Sequence, residues 1–367
     1  MRIGIIARTW FTSTKGGSEL YIKRIFEELK KSHRVVVVTL DIDPDPDVIQ
    51  IRLPRIPFFT QVLFSLLASV RINSIKPDVC VVNQYWAEFS PLLLRVPWVS
   101  IVHDVGLFYS ERAKRNLIKH IFRVKILSLV TKKSKKIIAP SKLTMNDLHK
   151  YLKVPLEKIR IVNEGVDLED PAPPIQHDGI NILCVARVAP NKGHDILLKA
   201  FRTIRGKYRA KLYLVGGISK DNRKYFQSLK EYIEKFDVKD VVFTDRVSDE
   251  KLKTYYRMAD IYVQPSTGEE GWGITITEAY RYRLPVVCTR IFAKTGVADE
   301  DRAIVVKEGD PDQLAKAIET LIEDNATRER ISERGNIFAK DLSWEKMSRE
   351  ILQIIEETRR SNHPNNR

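Results

Sequence analysis

Ile261-Tyr262-Val263-Gln264-Pro265-Ser266-Thr267-Gly268-Glu269-Glu270-Gly271-Trp272-Gly273-Ile274-Thr275-Ile276-Thr277-Glu278 is the stretch from which the rest of the chain is read. The apolar run Ile261-Tyr262-Val263, stopped by a proline two residues on, has the form of a short strand, and Ile274 to Tyr282 that of an opening helix. Glycines 271 and 273 fall in the turn between them, where freedom of backbone angle lets a ligand approach closely. The unpaired N–H groups of a helix start favour an anion such as a phosphate. Glu270 stands before the turn and Glu278 eight residues later, about one turn inside the helix. Carboxylates accept hydrogen bonds from paired hydroxyls. Taken alone, the two acids serve equally well as a solvated loop residue and a helix-start residue favoured by the macrodipole.

Strand–turn–helix units recur outward from this stretch. Strand-like runs at 2–7, 34–40, 79–83 and 99–102 alternate with helical stretches at 18–31 and 61–75, and a run at 137–139 leads to a helix at 142–152. The prolines of Glu169-Asp170-Pro171-Ala172-Pro173-Pro174 have the composition of a linker. Beyond it the pattern restarts, with strands at 180–186, 210–215, 241–244, 261–263 and 286–289 and helices at 195–204, 223–236, 250–258, 310–322 and 344–359. Such alternation predicts an α/β fold of two doubly wound parallel sheets. We divide the chain into a first domain at 1–168, a linker at 169–179, a second domain at 180–343, and a final helix with a polar tail at 344–367.

Composition excludes several classes. With 367 residues and 43% apolar content the chain can bury two cores and is neither disordered nor repetitive. Cys80, Cys184 and Cys288 each sit in or beside an apolar run without metal-ligand spacing, which predicts buried reduced thiols in a cytoplasmic protein. Met1 leads directly into a strand-like run, so no leader is expected, and no apolar stretch approaches the roughly 20 residues of a membrane span. The formal net charge is +15, and Arg112 to Lys136 carries ten basic residues, no acidic one, and apolar residues from Leu117 to Val130. This segment fits a basic amphipathic helix on an anionic membrane surface, or a solvated helix with its apolar face buried. Nucleic acid is not expected, because aromatic interleaving and recognised modules are missing.

Three other junctions carry chemistry. Lys15-Gly16-Gly17-Ser18-Glu19 opens a helix after the first strand, and backbone N–H groups at Gly17 and Ser18 suit an anion; it is not a G-x-G-x-x-G dinucleotide fingerprint. His103-Asp104 ends the run 99–102, at the edge where open α/β sheets bind ligands. Arg187 and Lys192 lie in Arg187-Val188-Ala189-Pro190-Asn191-Lys192-Gly193-His194, between a strand and a helix, where two cations suit a departing diphosphate. Asp41-Ile42-Asp43-Pro44-Asp45-Pro46-Asp47 holds overlapping D-x-D patterns, but its prolines favour a connecting loop over a metal site.

The acids at 270 and 278 resemble the E-x7-E motif of the retaining nucleotide-sugar glycosyltransferases of family 4, and the resemblance runs through nearly the whole chain. It implies a GT-B fold, two Rossmann-like domains facing across a cleft, with the final helix crossing back to the first. It implies donor binding by Gly17, Trp272, Gly273, Ile274, Thr275 and Glu278, and catalytic parts for His103, Arg187, Lys192 and Glu270. Under it, Glu270 holds the sugar hydroxyls, Glu278 the ribose, Arg187 and Lys192 the diphosphate, and His103 the sugar or acceptor. The partners implied are a nucleotide-sugar donor, UDP- or GDP-linked, and a hydroxyl acceptor on a glycan or lipid, with no cofactor and no metal. The expected location is the cytoplasm, with attachment to the inner face of the cell membrane resting on 112–136. A GT-B-like sugar-nucleotide epimerase or phosphorylase, and a basic surface or nucleic-acid binder without catalysis, are the alternatives.

Two places depart from the family pattern. Asn163-Glu164-Gly165-Val166-Asp167 carries a glutamate before the glycine where the family has N-G-V-D. After Leu284-Pro285-Val286-Val287 the family's Gly-Gly pair and glutamate are replaced by Arg290-Ile291-Phe292-Ala293-Lys294-Thr295-Gly296, read here as a loop.

Overall fold

The computed structural model describes residues 1–10, 16–54, 56, 59–84, 89–106, 117–268 and 270–361, with the side chains of 117–123 outside that description. The chain groups into two compact units, Met1–Gly165 with Ser343–Arg367, and Val166–Leu342.

Among the described residues the first unit holds seven strands: β1 (Arg2–Ile6), β2 (Arg34–Thr39), β3 (Val48–Gln50), β4 (Val79–Asn83), β5 (Trp98–Ile101), β6 (Lys136–Ala139) and β7 (Ile159–Ile161). They form one parallel sheet in the order β3-β2-β1-β4-β5-β6-β7. The second unit holds six: β8 (Ile180–Val185), β9 (Ala210–Val215), β10 (Val241–Asp245), β11 (Ile261–Gln264), β12 (Val286–Thr289) and β13 (Ala303–Val306), in the order β10-β9-β8-β11-β12-β13, again all parallel. Both sheets reverse their winding once. In the first, Ile3 of β1 pairs with Val79 of β4; in the second, Ile182 of β8 pairs with Ile261 of β11. Such a switch point leaves a crevice beyond the strand carboxyl ends, the usual ligand position of an open α/β sheet.

Parallel sheets covered on both faces need strands that are apolar on both sides. The runs Val35-Val36-Val37-Val38 and Val79-Cys80-Val81-Val82 meet that need and are buried throughout. Alternation sorts side chains between faces. Ile182 and Cys184 pack with Leu197, Phe201 and Ile204 of the helix His194–Lys207, while Leu183 packs with Ile276, Ala279 and Tyr280 of the helix Ile274–Arg281. In the first unit Ile6, Val38, Cys80 and Val82 meet Phe64, Ala68 and Ile72 of the helix Phe59–Ile75. Phe201 is fully buried, so truncating it to alanine costs about 3–5 kcal/mol. All three cysteines are free and buried on strands, and burial pushes their thiols up, Cys184 to about 12.

Helix starts differ in a way that matters for the site. Ser141, Ser248, Asp310, Asp324 and Ser343 each accept a hydrogen bond from a first-turn N–H of the helix they open. Gly16, Gly193 and Gly273 open the helices Gly17–Lys30, His194–Lys207 and Ile274–Arg281 with no such side chain.

Some elements differ from expectation. Residues 290–295, read as a loop, form the helix Arg290–Thr295, closed by Gly296 in the left-handed region and anchored by the buried Phe292 and Thr295. Strands β3, β7 and β13 had not been read from the sequence, three or four residues being too few to display a period; nor had the helix Asn325–Lys340, whose buried face of Ile331, Gly335, Asn336 and Ala339 carries little apolar signal. Within the basic segment, residues 112–116 lie outside the described residues. The rest forms the helix Leu117–Lys133, and then β6 from Lys136. In its described part Leu127 and Val130 are buried, Leu127 in a core cluster with Val102, Ile137 and Leu148, so the core takes much of the apolar face; Lys125, Leu129, Lys132 and Lys133 are exposed. No helix among the described residues is long and apolar enough to cross a membrane. The proline-rich stretch lies on the second unit: Arg281 donates to the Leu168 and Glu169 carbonyls at 2.8 and 3.2 Å, and Arg257 to the Pro173 carbonyl at 2.9 Å.

Candidate active site

In the second unit, β8 and β11 meet at the switch point, and the loops leaving their carboxyl ends are in backbone contact. The Thr267 N–H donates to the Asn191 carbonyl at 2.9 Å. Gly193 lies at φ 70°, and a Cβ there would overlap the Pro265 carbonyl oxygen, so glycine is required by both conformation and space. This contact places Lys192 beside Glu270, 78 residues away in the chain. Lys192 Nζ donates to Glu270 Oε1 at 2.6 Å, and the two side chains are only 13% and 11% exposed. Arg187, two residues beyond β8, remains exposed on the same loop.

Two threonines peg the Glu270 loop from β12 and the short helix after it. Thr289 Oγ1 donates to the Ser266 carbonyl at 2.7 Å and Thr295 Oγ1 to the Trp272 carbonyl at 2.9 Å. Gly273 caps the following helix at φ 123°, and its missing side chain leaves room for the Phe292 ring. Ile274 and Thr275 form that helix's first turn and are partly buried. Trp272 is different: its indole is buried in the core cluster, tilted against Phe338 at 6.4 Å, so its backbone, not its ring, lines the loop. Glu278 accepts a hydrogen bond at 2.7 Å from the Tyr256 hydroxyl. Tyr256 is stacked on Tyr282, and burial followed by the Glu278 charge holds its hydroxyl well above the usual range, so it stays a donor. Beneath the cations, burial and then the Lys192 charge push His194 down to about 4, against Asp195 and the Ala189 carbonyl.

The first unit carries the remaining predicted residues. Gly17 begins its helix as expected, with Lys15 outside the described residues. The helix start already faces an acid of its own: Glu19 is buried against Gly16 and accepts from Thr9 and Ser18 hydroxyls at 2.9 and 3.0 Å. His103, two residues past β5, is buried, with its ring edge-on to Tyr21 at 5.1 Å and its Nδ1 3.9 Å from Glu164 Oε1. The D-x-D acids are taken up by Trp10 and Lys30. Asp41 accepts from the Trp10 backbone N–H at 2.6 Å, Asp43 from the Trp10 indole at 2.8 Å, and Asp45 and Asp47 each pair with Lys30 at 2.7 Å.

The structure thus brings Arg187, Lys192, Glu270, Gly273, Ile274, Thr275 and Glu278 to the switch-point edge of the second sheet, and Gly17 and His103 to that of the first. Sequence reasoning missed Tyr256, Thr289 and Thr295, which hold Glu278 and the Glu270 loop. No local pattern joins Tyr256 to an acid 22 residues later.

Comparison with known proteins matches these two halves separately. The description "Glycosyltransferase Family 4" matches residues 15–170, and "Glycosyl transferases group 1" matches residues 166–338. The chain is 25% identical over 394 residues to an uncharacterized glycosyltransferase of Methanocaldococcus jannaschii, covering 96% of this chain and 97% of that protein. Among solved structures it is similar in fold to a sucrose-phosphate synthase of Thermosynechococcus elongatus, with a TM-score of 0.84 at 20% identity, covering 97% of this chain and 98% of that one. It is likewise similar to Anabaena HepE in complex with UDP-glucose, with a TM-score of 0.81 at 16% identity, covering 97% of this chain and 100% of that one. With both units matched and two parallel α/β sheets of the GT-B type, the chain belongs to the family 4, group 1 glycosyltransferases.

Proposed function

We propose that the protein transfers a hexose from a nucleoside-diphosphate sugar to a hydroxyl acceptor, with retention of anomeric configuration and without a metal. The observation that carries this reading is the partly buried Lys192–Glu270 pair at 2.6 Å on the switch-point edge, beside two glycine-capped helix starts. Those helix starts and the cations Lys192 and Arg187 suit a diphosphate; Glu270 suits sugar hydroxyls; Glu278, oriented by Tyr256, suits a ribose. In the reaction the acceptor oxygen bonds to the anomeric carbon as the bond to the phosphate oxygen breaks. The hydroxyl proton passes to the departing phosphate, on the same face, which retains configuration without a protein nucleophile. Arg187 and Lys192 stabilise the charge that develops on the diphosphate, the role in which fixed cations gain most. His103 is assigned to the sugar or acceptor. The exposed Lys125, Lys132 and Lys133, with Leu129, support contact with an anionic membrane surface that would supply a lipid-linked acceptor.

A melting-shift screen with UDP, GDP, ADP and their sugars tests the donor assignment. UDP-glucose comes first, since a protein of similar fold was solved with it. A nucleoside diphosphate at a hundred times its Kd stabilises by about 2.7 kcal/mol. If none of these compounds raises the melting temperature, the nucleotide-sugar reading fails. Flotation with anionic and neutral vesicles tests the surface, and equal recovery with both removes it.

A further inference from the structure

Three polar side chains are buried together at the carboxyl edge of the first sheet, and two of them are left without a hydrogen-bond partner among the described residues. His103, Glu164 and Tyr21 are 7%, 6% and 1% exposed. Among the described residues neither ring nitrogen of His103 nor the Tyr21 hydroxyl has a hydrogen-bond partner. Native proteins retain few such groups, and a cluster of them marks a place where satisfaction is left for a ligand.

Contacts among the described residues hold the cluster in place. Tyr21 meets the imidazole edge-on, at 87° between ring planes, which limits rotation of the ring. The His103 carbonyl accepts from Thr144 Oγ1 at 3.2 Å. On the other strand, the Asn163 amide donates to the Pro140 carbonyl at 2.8 Å, and Gly165 packs so tightly on the Trp344 backbone that any Cβ would overlap it. Glu164, between those two anchors, therefore keeps its carboxylate 3.9 Å from His103 Nδ1, an ion-pair distance too long for a hydrogen bond. A carboxylate only accepts, so its charge at this distance favours the tautomer with the proton on Nδ1 and the lone pair on Nε2. Glu350 on the helix Trp344–Arg360 also acts on this cluster; after burial, Glu164 and Glu350 hold the Tyr21 hydroxyl well above its ordinary range, so it stays neutral.

We propose that Glu164, standing where the family pattern has asparagine, is a positioning residue that fixes the His103 proton on Nδ1 and presents Nε2 as an acceptor to a sugar hydroxyl. The proposal rests on the glycosyl-transfer reading for its substrate, but not for its geometry. Its test therefore has two readouts. In protein labelled with ring-15N histidine, His103 should show a protonated Nδ1 and a bare Nε2. Glu164→Gln, whose amide oxygen also accepts, should keep that pattern. Glu164→Leu should lose it in favour of the Nε2–H form, and Glu164→Asn, too short to reach, should do the same if the leucine variant fails to fold. Turnover of Glu164→Leu should fall about 30-fold with the donor KM within about twofold, and Glu164→Gln should recover most of it. Unchanged nitrogen shifts in the folded leucine or asparagine variant overturn the positioning role. If the shifts move as expected but His103→Ala turns over at the wild-type rate, positioning stands and the assignment of His103 to the reaction falls.

Discussion

Lys192 with Glu270 and His103 with Glu164 are both acid–base pairs at the carboxyl edge of a parallel sheet, one in each unit, the first partly and the second fully buried. The first is closed at 2.6 Å and the second stands open at 3.9 Å. In the closed pair Glu270 occupies Lys192 as an anion would, and Lys192 occupies Glu270 as hydroxyl donors would. Under the proposed function, donor binding exchanges these partners and does not have to find bare charges. The open pair lacks this freedom. Its members are held by backbone packing at Gly165 and by the Thr144 hydroxyl on the His103 carbonyl, so it keeps its shape, with the His103 ring nitrogens lacking a hydrogen-bond partner among the described residues. One unit adapts its side chains, and the other holds them still.

The comparison breaks most visibly at Glu270. Glu270→Ala should lower turnover about 1000-fold, and Lys192→Ala by a similar amount, while the double variant loses little more than the worse single one, because residues acting as a unit are not additive. Additive losses in steady-state kinetics would mean that the two do not work as a pair. Gly193→Ala attacks the loop contact that closes the pair: positive φ and overlap with the Pro265 carbonyl should cost about 3 kcal/mol or more in urea unfolding, with donor binding lost alongside. Wild-type stability in that variant would refute the contact as the cause of closure.

The buried His194 sharpens the comparison. His194 is displaced from 6.5 to about 4, so the unfolded chain takes up a proton at a pH where the folded one does not. Its contribution is present above pH 6.5 and is lost as the pH falls toward 4, by roughly 3 kcal/mol at most. His194→Gln should lose less stability than wild type over that window, since carboxylates titrating in both proteins cancel in the difference. Parallel pH curves would show that His194 does not titrate this way. The smallest effect is expected at Tyr256: Tyr256→Phe removes the hydroxyl that orients Glu278 and should raise the donor KM about fivefold with kcat nearly unchanged. A fall in kcat with KM unaltered would place Glu278 in the chemical step.

The sheets were legible in the sequence because parallel strands covered on both faces read as unbroken apolar runs, as Val35 to Val38 do. The switch-point residues were legible because they sit where such a run gives way to glycine and a helix. What joins them was not. Lys192 and Glu270 meet only because β8 and β11 are neighbours, a pairing that follows from strand order and not from any local pattern. Resemblance to the family placed Trp272 among the donor-binding residues without saying which part of it faces the donor; the turn directs its ring into the core, since large apolar rings gain most from burial, and leaves its backbone on the loop. The basic stretch at 112–136 read as amphipathic, and in its described part Leu127 and Val130 turn inward and leave lysines outward. Glu164 was visible as a departure from a pattern, but its neighbour His103 lies two strands away in the sheet.

Gly193 also bears on how this active site can be re-engineered. With Cβ excluded there, the spacing between the two switch-point loops is not a variable that substitution can tune. Under the proposed function, a designer seeking a different base or sugar must work through side chains that point from the loops, among them the exposed Arg187 and Thr267. Libraries that randomise 187 should therefore retain folded members, whereas libraries that include 193 should be depleted of them.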